Sequence, residues 1–197
     1  HNDSAIVISL IYGDHDNPYA TSLINDAAYV DYIFGVHDSA DSLYSKTIKI
    51  NSKYGRERSA TTANAQNGLG LVMTAKRKYK TAEKFFDQSL ELHKDIFTDN
   101  HPFTALVYLN YANLKIATGK LDEAKRQLNR SYEINQMFFD EHHDVFADIL
   151  VAQGDISRKE KKPKEADDKY KQALEIYLDK FEESHTKIVS LRKKIRG

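Results

Sequence analysis

The chain has 197 residues, and 41% of them are hydrophobic, a share sufficient to fill the seams between packed helices. Lysine and arginine together number 29 and equal aspartate plus glutamate, so no overall field attracts the chain to nucleic acid or to a membrane surface. The absence of cysteine excludes disulfides and thiol chemistry, and no apolar run approaches the roughly 18 residues of a membrane-spanning helix.

The sequence repeats at one fixed interval of 42 residues without insertion. His101, His143 and His185 recur at this interval, and Ser59 and Asn17 occupy the same position upstream. A constant period of this length is typical of solenoids built from stacked helix pairs. We therefore expect one continuous array of helices over residues 1–197.

The two ends of the chain match incomplete repeats. Shifted by one period, Ile6 falls on Ile48, so residues 1–16 are predicted to be the second half of a preceding second helix. Residues 185–197 match the start of a further repeat or a terminal capping helix. Within them, residues 187–196 hold five basic side chains and no acid, which indicates either a helix without its covering partner or a basic patch. Both ends favour a piece of a longer solenoid.

Four complete repeats are predicted between these ends, at residues 17–58, 59–100, 101–142 and 143–184. Asn17 and Ser59 are suited to cap a helix, and Pro18 suits the first helical position. Gly35 and Gly119 lie in the column where a residue in the left-handed conformation can end the first helix.

Two columns of the repeat hold only small side chains. Two helices approach closely only where neither has a bulky group at the crossing, so these columns predict the contact within each helix pair. A large residue follows the alanine column four positions later, and apolar columns give each helix one buried face. The small residues are Ala28, Gly70, Ala112, Gly154 and Ala40, Ala82, Ala124, Ala166, and the large ones are Tyr44, Phe86, Leu128 and Tyr170. The apolar columns include Leu23, Ala65, Val107, Ile149, then Val30, Val72, Leu114, Ile156, and in the second helix Ile48, Leu90, Tyr132, Leu174.

These columns resemble the tetratricopeptide repeat, which has a small residue in its first helix and Ala-x3-Phe in its second. Ala82 and Phe86 are the closest copy. The 42-residue period and His101-Pro102, followed by Leu109-Asn110-Tyr111-Ala112, resemble the longer repeats of kinesin light chains, with their His-Pro…Leu-Asn-Asn-Leu-Ala pattern. The resemblance implies an all-α fold, a right-handed α-solenoid (superhelix) of antiparallel helix pairs. HEAT-type repeats of 40–47 residues are the alternative, although they lack this pair of small columns.

No pattern of catalytic or metal-binding residues accompanies the repeat. His101, His143 and His185 are predicted to stand roughly 20 Å apart, too far to share one ion, and are expected to serve at helix starts. Gly68 and Gly70 form part of a dinucleotide fingerprint, but they lie inside a predicted helix and not after a strand. We therefore expect a protein that is not an enzyme and holds no cofactor and no metal.

The resemblance implies a binding surface on the concave side, where first helices bind an extended peptide or a partner helix. Asparagine is a poor helix former, and hydrogen bonds to a ligand backbone would explain its presence there. The alternative is that these asparagines are simply solvated. The chain departs from the family's paired asparagines, since Leu109 precedes Asn110 and Gly68 follows Asn67. The positions carried over are Ser22, Asn25, Tyr29, Tyr32, then Asn64, Asn67, Leu71, Thr74, then Leu106, Leu109, Asn113, Ile116, and finally Asp148, Val151, Asp155, Arg158.

The expected function is a non-catalytic scaffold that binds a peptide or a partner protein in this groove. We expect the ligand to cross the first helices of residues 59–100 and 101–142, where the carried-over positions include no lysine or arginine. This make-up favours a short, weakly charged peptide over nucleic acid, and no membrane partner is expected. The alternative is a regulatory or sensory array of a larger enzyme or signalling protein that packs against its own catalytic domain.

Overall fold

The computed structural model describes residues 17–196, and all regular structure in that range is helical. The all-α class predicted from the sequence is therefore confirmed, whereas the prediction for residues 1–16 lies outside the described residues. No described helix is long and apolar enough to cross a membrane. A short 3-10 helix, Pro18–Ala20, precedes α1 (Thr21–Ile33), α2 (His37–Lys53), α3 (Ala60–Ala75), α4 (Tyr79–Phe97), α5 (Pro102–Ala117), α6 (Leu121–Asn135), α7 (Asp144–Lys159), α8 (Pro163–Lys180) and α9 (Thr186–Arg196).

The chain divides between Asp99 and Asn100 into two compact units. In the N-terminal unit α1 packs on α2, α3 packs on α4, and α2 also contacts α3. In the C-terminal unit α5 packs on α6, α7 packs on α8, α6 contacts α7, and α9 packs on α8. Consecutive helices joined by short turns thus form the pairs from which each unit is built.

Histidines and a serine cap the first helices. The Nδ1 atoms of His101, His143 and His185 each accept a hydrogen bond from the backbone N–H two residues further on, at 3.2, 3.3 and 3.3 Å. Ser59 Oγ accepts one from the N–H of Thr62 at 3.3 Å. Each bond satisfies an N–H group that has no partner within the helix. The predicted role of these histidines at helix starts is confirmed.

The turn inside each pair passes through one residue in the left-handed conformation. Gly35, Arg77, Gly119 and Lys161 stand 42 residues apart and have φ values of 77°, 57°, 75° and 62°. A Cβ at Gly35 or Gly119 would meet nothing within 4 Å, so the backbone angle alone favours glycine there. Arg77 and Lys161 therefore hold a conformation that is unfavourable for residues with a side chain.

As predicted, the small residues Gly70 and Gly154 lie where the two helices of a pair meet. A Cβ at Gly70 would lie 2.6 Å from the Phe86 ring, and one at Gly154 would lie 2.4 Å from the Tyr170 ring. Since real Cβ contacts do not come this close, the two rings occupy the space that the glycines leave. The rings and the glycines are therefore matched within one helix pair.

In the first and third pairs, the contact between the small residue of the first helix and the large residue of the second is made differently. Ala112 in α5 meets a smaller partner, because Leu128 replaces the ring in this column and both residues belong to one core cluster. In the first pair, the Tyr44 ring extends to the next helix pair, where a Cβ at Gly68 would lie 2.2 Å from it. Tyr44 thus joins α2 to α3 as well as to α1.

Burial of the apolar columns is confirmed for the first helices α3, α5 and α7, whereas Ile48, Leu90 and Leu174 of the second helices are only half-buried and three further members are exposed. Ala65 and Val72 of α3 are fully buried, and α2 packs against that helix. Leu23 and Val30 hold the same positions in α1 but are 37% and 38% exposed, because no helix pair precedes α1 within the described residues. Tyr132 is 46% exposed and packs edge-on against Phe146, with the rest of its ring in solvent.

Candidate interaction surface

The second helices carry a column of buried polar side chains that the apolar periodicity did not reveal. Asn51, His93, Asn135 and Tyr177 are spaced by 42 residues and are at most 2% exposed. Buried polar groups need hydrogen-bond partners, and two of the four find theirs on the first helix of the same pair. The 42-residue spacing could have revealed this column, but its members differ in residue type, so it does not stand out in the sequence.

Two members of this polar column form hydrogen bonds with predicted binding residues of the first helix. His93 Nδ1 lies 2.8 Å from the carbonyl oxygen of Ser89, and His93 Nε2 lies 3.1 Å from Asn64 Oδ1. In the last pair the hydroxyl of Tyr177 donates to Asp148 Oδ1 at 2.5 Å. Asn64 and Asp148 hold equivalent positions of the repeat, so in both pairs a buried residue fixes the orientation of a predicted binding residue.

Two neighbouring tyrosines, Tyr29 and Tyr32, lie against each other on α1. Tyr29 is 51% exposed, and its ring stacks on that of Tyr32 with 6.4 Å between centroids and an interplanar angle of 27°. Tyr32 in turn lies 5.9 Å from the His37 ring at the start of α2. Burial, followed by the nearness of Tyr29, raises the pKa of the Tyr32 hydroxyl. The Tyr32 hydroxyl is therefore a neutral hydrogen-bonding group near pH 7.

Tyr44 stands behind this pair and completes a tyrosine cluster formed by Tyr29, Tyr32 and Tyr44. Burial raises the pKa of Tyr44 well above its usual range, and Tyr29, Tyr32 and Asp26 add to the effect because they lie within electrostatic reach. Since the Tyr44 ring also lies against Gly68, the cluster connects the exposed side of α1 to the part of α3 that carries Asn67. We call Asp26, Tyr29, Tyr32, Asn64, Asn67 and Leu71 the α1–α3 surface.

In the N-terminal unit, the prediction that Asn25 lines the binding groove is wrong. It is only 8% exposed, and its Nδ2 donates to the carbonyl oxygen of Thr61 at 2.8 Å. Nδ2 of Asn51 donates to Thr61 Oγ1 and Thr62 Oγ1, both at 2.9 Å. The two asparagines thus hold the start of α3 against α1 and α2. Asn25 has its amide nitrogen engaged inside the fold and does not line an accessible surface.

The other predicted positions of this unit remain at least partly accessible. Ser22 and Asn64 are exposed, whereas Asn67, Leu71 and Thr74 are half-buried. The Thr74 hydroxyl donates to the carbonyl oxygen of Gly70 at 2.7 Å, so its polar group is used within its own helix.

In the C-terminal unit the prediction is wrong for Leu109 and Ile116. They are 4% and 6% exposed and belong to a core cluster that also contains Phe146 and Ile149 of α7. Apolar side chains at these positions turn into the seam between helix pairs rather than toward solvent. The remaining predicted residues of this unit keep at least partial exposure: Leu106, Asn113, Asp148, Val151, Asp155 and Arg158.

The two aspartates of α7 are neutralised by α9. Asp148 accepts from Lys187 Nζ at 2.8 Å in addition to Tyr177. Asp155 binds Lys194 Nζ at 2.5 Å and accepts from the Tyr170 hydroxyl at 2.7 Å. Aspartates, tyrosines and lysines are each seven residues apart, or about two helical turns, so the two Asp–Tyr–Lys groups are copies of one arrangement.

The ammonium groups also lie over the tyrosine rings. Lys187 Nζ is 5.2 Å from the Tyr177 ring centroid, and Lys194 Nζ is 5.7 Å from that of Tyr170. Burial raises the pKa of Tyr177, and Asp148 raises it further. Burial alone would lower the pKa of Lys187, but the attraction of Asp148 and then Asp144 outweighs it and raises that pKa.

Residues 187–196 are consequently not an unpaired basic patch as far as their side chains are described. Lys187 and Lys194 are paired with α7, and Nη1 and Nη2 of Arg192 both donate to Glu183 Oε2 at 3.2 Å. Arg158, a predicted binding residue, is also occupied, since its Nη2 donates to Asp167 at 3.0 Å and to the carbonyl oxygen of Lys194 at 2.9 Å. Asp148, Asp155 and Arg158 of α7 therefore all have ionic partners within the unit.

A cleft of about 260 Å³ opens between α6, α7 and α8 on the side formed by the second helices. Lys125 and Lys162 both pair with Glu160 there, and these contacts, Lys125 first, lower the pKa of Glu160 to about 2. The charge of Glu160 is thus balanced by two lysines within the cleft. Within residues 17–196, no group of three or more histidines, aspartates or glutamates is arranged to hold a metal ion.

The chain matches a protein-family model. A family model described as the tetratricopeptide repeat matches residues 61–137 and, overlapping with them, residues 103–179, which together exceed half of the chain. No curated protein sequence matches the chain.

Solved structures provide the same fold. BtubC (BKLC) of P. vanneervenii is 20% identical, with a TM-score of 0.68 over 84% of this chain and 67% of that one. A kinesin-light-chain-type protein of Podosopora anserina with nearly identical TPR-like repeats is 16% identical, with a TM-score of 0.66 over 91% of this chain and 85% of that one. The predicted resemblance to kinesin-light-chain-type repeats is confirmed; at these identities the likeness concerns the fold alone.

Proposed function

Because the chain belongs to the tetratricopeptide repeat family, we propose that it is a non-catalytic protein-interaction scaffold that binds an extended segment of a partner protein on its α1–α3 surface. The observation that carries this proposal is the half-exposed Tyr29 ring stacked on Tyr32. Tyrosine is enriched where proteins bind one another, because a rigid ring contributes a large contact area and a polar tip at little entropic cost.

The remainder of the α1–α3 surface suits a peptide backbone. Side-chain amides such as those of Asn64 and Asn67 both donate and accept hydrogen bonds, as a peptide group does. Leu71 is half-buried and offers apolar contact for a ligand side chain. The bond from His93 to Asn64 holds that amide in place, which reduces the entropy lost on binding.

The C-terminal unit is a weaker alternative for the ligand. Its aspartates are already paired with Lys187 and Lys194, and Leu109 is buried. Leu106 and Asn113 are exposed and remain a second surface on α5. We therefore place the principal site in the N-terminal unit.

The test is selection of dodecapeptides from a random display library on the whole chain, followed by affinity measurement for the strongest binder. Leu71→Ala and Tyr29→Ala should each weaken binding by about 1–2 kcal/mol, because each removes contact area at the proposed site. Leu178→Ala is the matched control, since Leu178 is 41% exposed on α8 in the other unit. If both site variants keep full affinity while the control lowers it, the site is misplaced. If no peptide binds, the alternative of an array that packs against its own catalytic domain is favoured.

A further inference from the structure

The balanced net charge conceals a strong asymmetry along the chain. No lysine or arginine precedes Lys46, whereas seven aspartates do, so residues 46–197 carry the opposite excess of seven positive charges with histidine neutral. A difference of this size between two parts of one chain indicates a charged partner for at least one of them.

The acidic character extends to the α1–α3 surface itself. Neither α1 nor α3 contains a lysine or an arginine. Asp31 of α1 is buried and accepts a hydrogen bond from the Ser39 hydroxyl at 2.5 Å. Asp26 is exposed and has no hydrogen bond or ion pair with any other residue in the described range. Lys76, which follows α3, is already held by Asp38 at 2.8 Å and Asp41 at 2.7 Å.

The tyrosines of this surface likewise lack a cation that other tyrosines have. Tyr19 lies under the Arg56 guanidinium and Tyr54 under the Lys53 ammonium, each at 5.5 Å from the ring centroid. In the described part of the chain, no cation lies over Tyr29 or Tyr32. The face of an aromatic ring attracts a cation within about 6 Å, and a nearby carboxylate strengthens the attraction.

The C-terminal unit contains the same combination of aspartate and tyrosine with a lysine bound to it. There, Lys187 contacts both the Asp148 carboxylate and the Tyr177 ring, and Lys194 contacts both Asp155 and the Tyr170 ring. The N-terminal unit has the aspartate and the tyrosines of such a group, and no lysine or arginine of the described chain occupies it.

We propose that the segment bound at the α1–α3 surface is basic, and that one of its arginine or lysine side chains lies against Tyr29 and Tyr32 beside Asp26. The inference rests on the proposed function and names its partner class. It differs from the expectation drawn from the sequence, which is a weakly charged peptide across the first helices of residues 59–100 and 101–142. A second copy of this chain, with its basic residues 46–197, is the competing occupant.

The experiment uses peptides selected from the random dodecapeptide library on the whole chain. The selected set should be enriched in arginine and lysine. Replacing the best-conserved cation of the strongest binder with norleucine should weaken binding about threefold to tenfold. Asp26→Asn and Tyr29→Ala should produce losses of the same size, and raising NaCl from about 50 to about 300 mM should weaken the wild type more than Asp26→Asn.

Two controls separate the chemistry from a general loss of fold. Tyr29→Phe keeps the ring and should bind within twofold of the wild type. Tyr54→Ala removes a similarly exposed tyrosine whose ring lies outside the surface and should also bind normally. Circular dichroism should show equal helix content for all variants, and the norleucine peptide tests the cation without any change in the protein.

The outcomes are distinguishable. Selected peptides without cationic enrichment whose binding falls with Leu71→Ala would contradict this inference and leave the proposed function in place. Basic peptides unaffected by Asp26→Asn and Tyr29→Ala would also contradict it. Failure to select any peptide would contradict both proposals. If sedimentation shows an oligomer that dissociates on Asp26→Asn substitution, the surface binds a second copy of the chain. That result would contradict the proposal of a basic peptide ligand.

Discussion

The side chains of Tyr177 and Asp148 are joined by a 2.5 Å hydrogen bond in which the phenol donates to the carboxylate. Tyr177 is 2% exposed, and Lys187 binds the other oxygen of the same carboxylate. One aspartate of α7 thus satisfies a buried hydroxyl of α8 and a charged group of α9. A contact that joins three helices through one side chain should matter more for stability than an exposed ion pair does.

Removal of this aspartate is therefore expected to be costly. Asp148→Ala leaves the Tyr177 hydroxyl buried without its acceptor and Lys187 without a principal partner, so the free energy of unfolding should fall by about 1–3 kcal/mol. Urea unfolding followed by circular dichroism measures the change. Asp168→Ala, at an exposed position of α8, should change stability by less than about 0.5 kcal/mol. Equal effects of the two substitutions would show that the three-helix contact adds nothing.

The same group predicts loss of stability in alkali. The pKa of Tyr177 is raised above its ordinary value of 10.0 and that of Lys187 above 10.5. A folded-state pKa above the unfolded value stabilises the protein below the unfolded pKa, and this contribution is lost as pH rises through the folded pKa. The melting temperature should therefore fall above about pH 10, and Tyr177→Phe should make the fall shallower. Identical alkaline profiles for the two proteins would contradict this.

The packing of the rings against the glycines can be tested by introducing the alanine–leucine combination of the third pair into the second pair. Gly70→Ala places a Cβ 2.6 Å from the Phe86 ring and should destabilise by about 1–3 kcal/mol through overpacking. The double variant with Phe86→Leu reproduces the Ala112–Leu128 combination and should lose less than the sum of the two single variants. Strict additivity in urea unfolding would mean that the ring and the glycine do not compete for space.

The left-handed turn positions predict a stabilising change. Arg77→Gly should raise the free energy of unfolding by about 0.5–1 kcal/mol, because glycine adopts φ 57° without the clash that a Cβ causes. Gly119→Ala is the reverse substitution at the equivalent turn and should lower stability by a similar amount. A loss on Arg77→Gly would show that side-chain contacts of Arg77 outweigh its backbone strain.

The periodicity predicts the parts of the fold that depend on one helix pair. The alanine column, including Ala124 at 0% exposure, and the capping histidines follow from spacing alone. Leu23 and Ile149 occupy one column but differ in exposure, because burial depends on which helix pair precedes them. Leu109 shows the same limit, since its burial depends on Phe146 in the next pair.

The repeat pattern could not predict the ion pairs, because each depends on residues in different columns. Lys194 and Asp155 are 39 residues apart, and nothing in either residue's own column specifies the other. The equal totals of acidic and basic residues also concealed the absence of any cation before Lys46. Position along the chain, rather than composition, indicates the character of the α1–α3 surface.

The α1–α3 surface is the proposed ligand site. The most direct measurement is a titration of the isotopically labelled chain with the strongest selected peptide, followed by amide and tyrosine-ring chemical shifts in NMR spectra. If the peptide binds this surface, the largest changes should fall on Asp26, Tyr29, Tyr32 and Leu71, with little change in α6 and α8. Changes concentrated on Leu106 and Asn113 of α5, or around the cleft at Glu160, would contradict it.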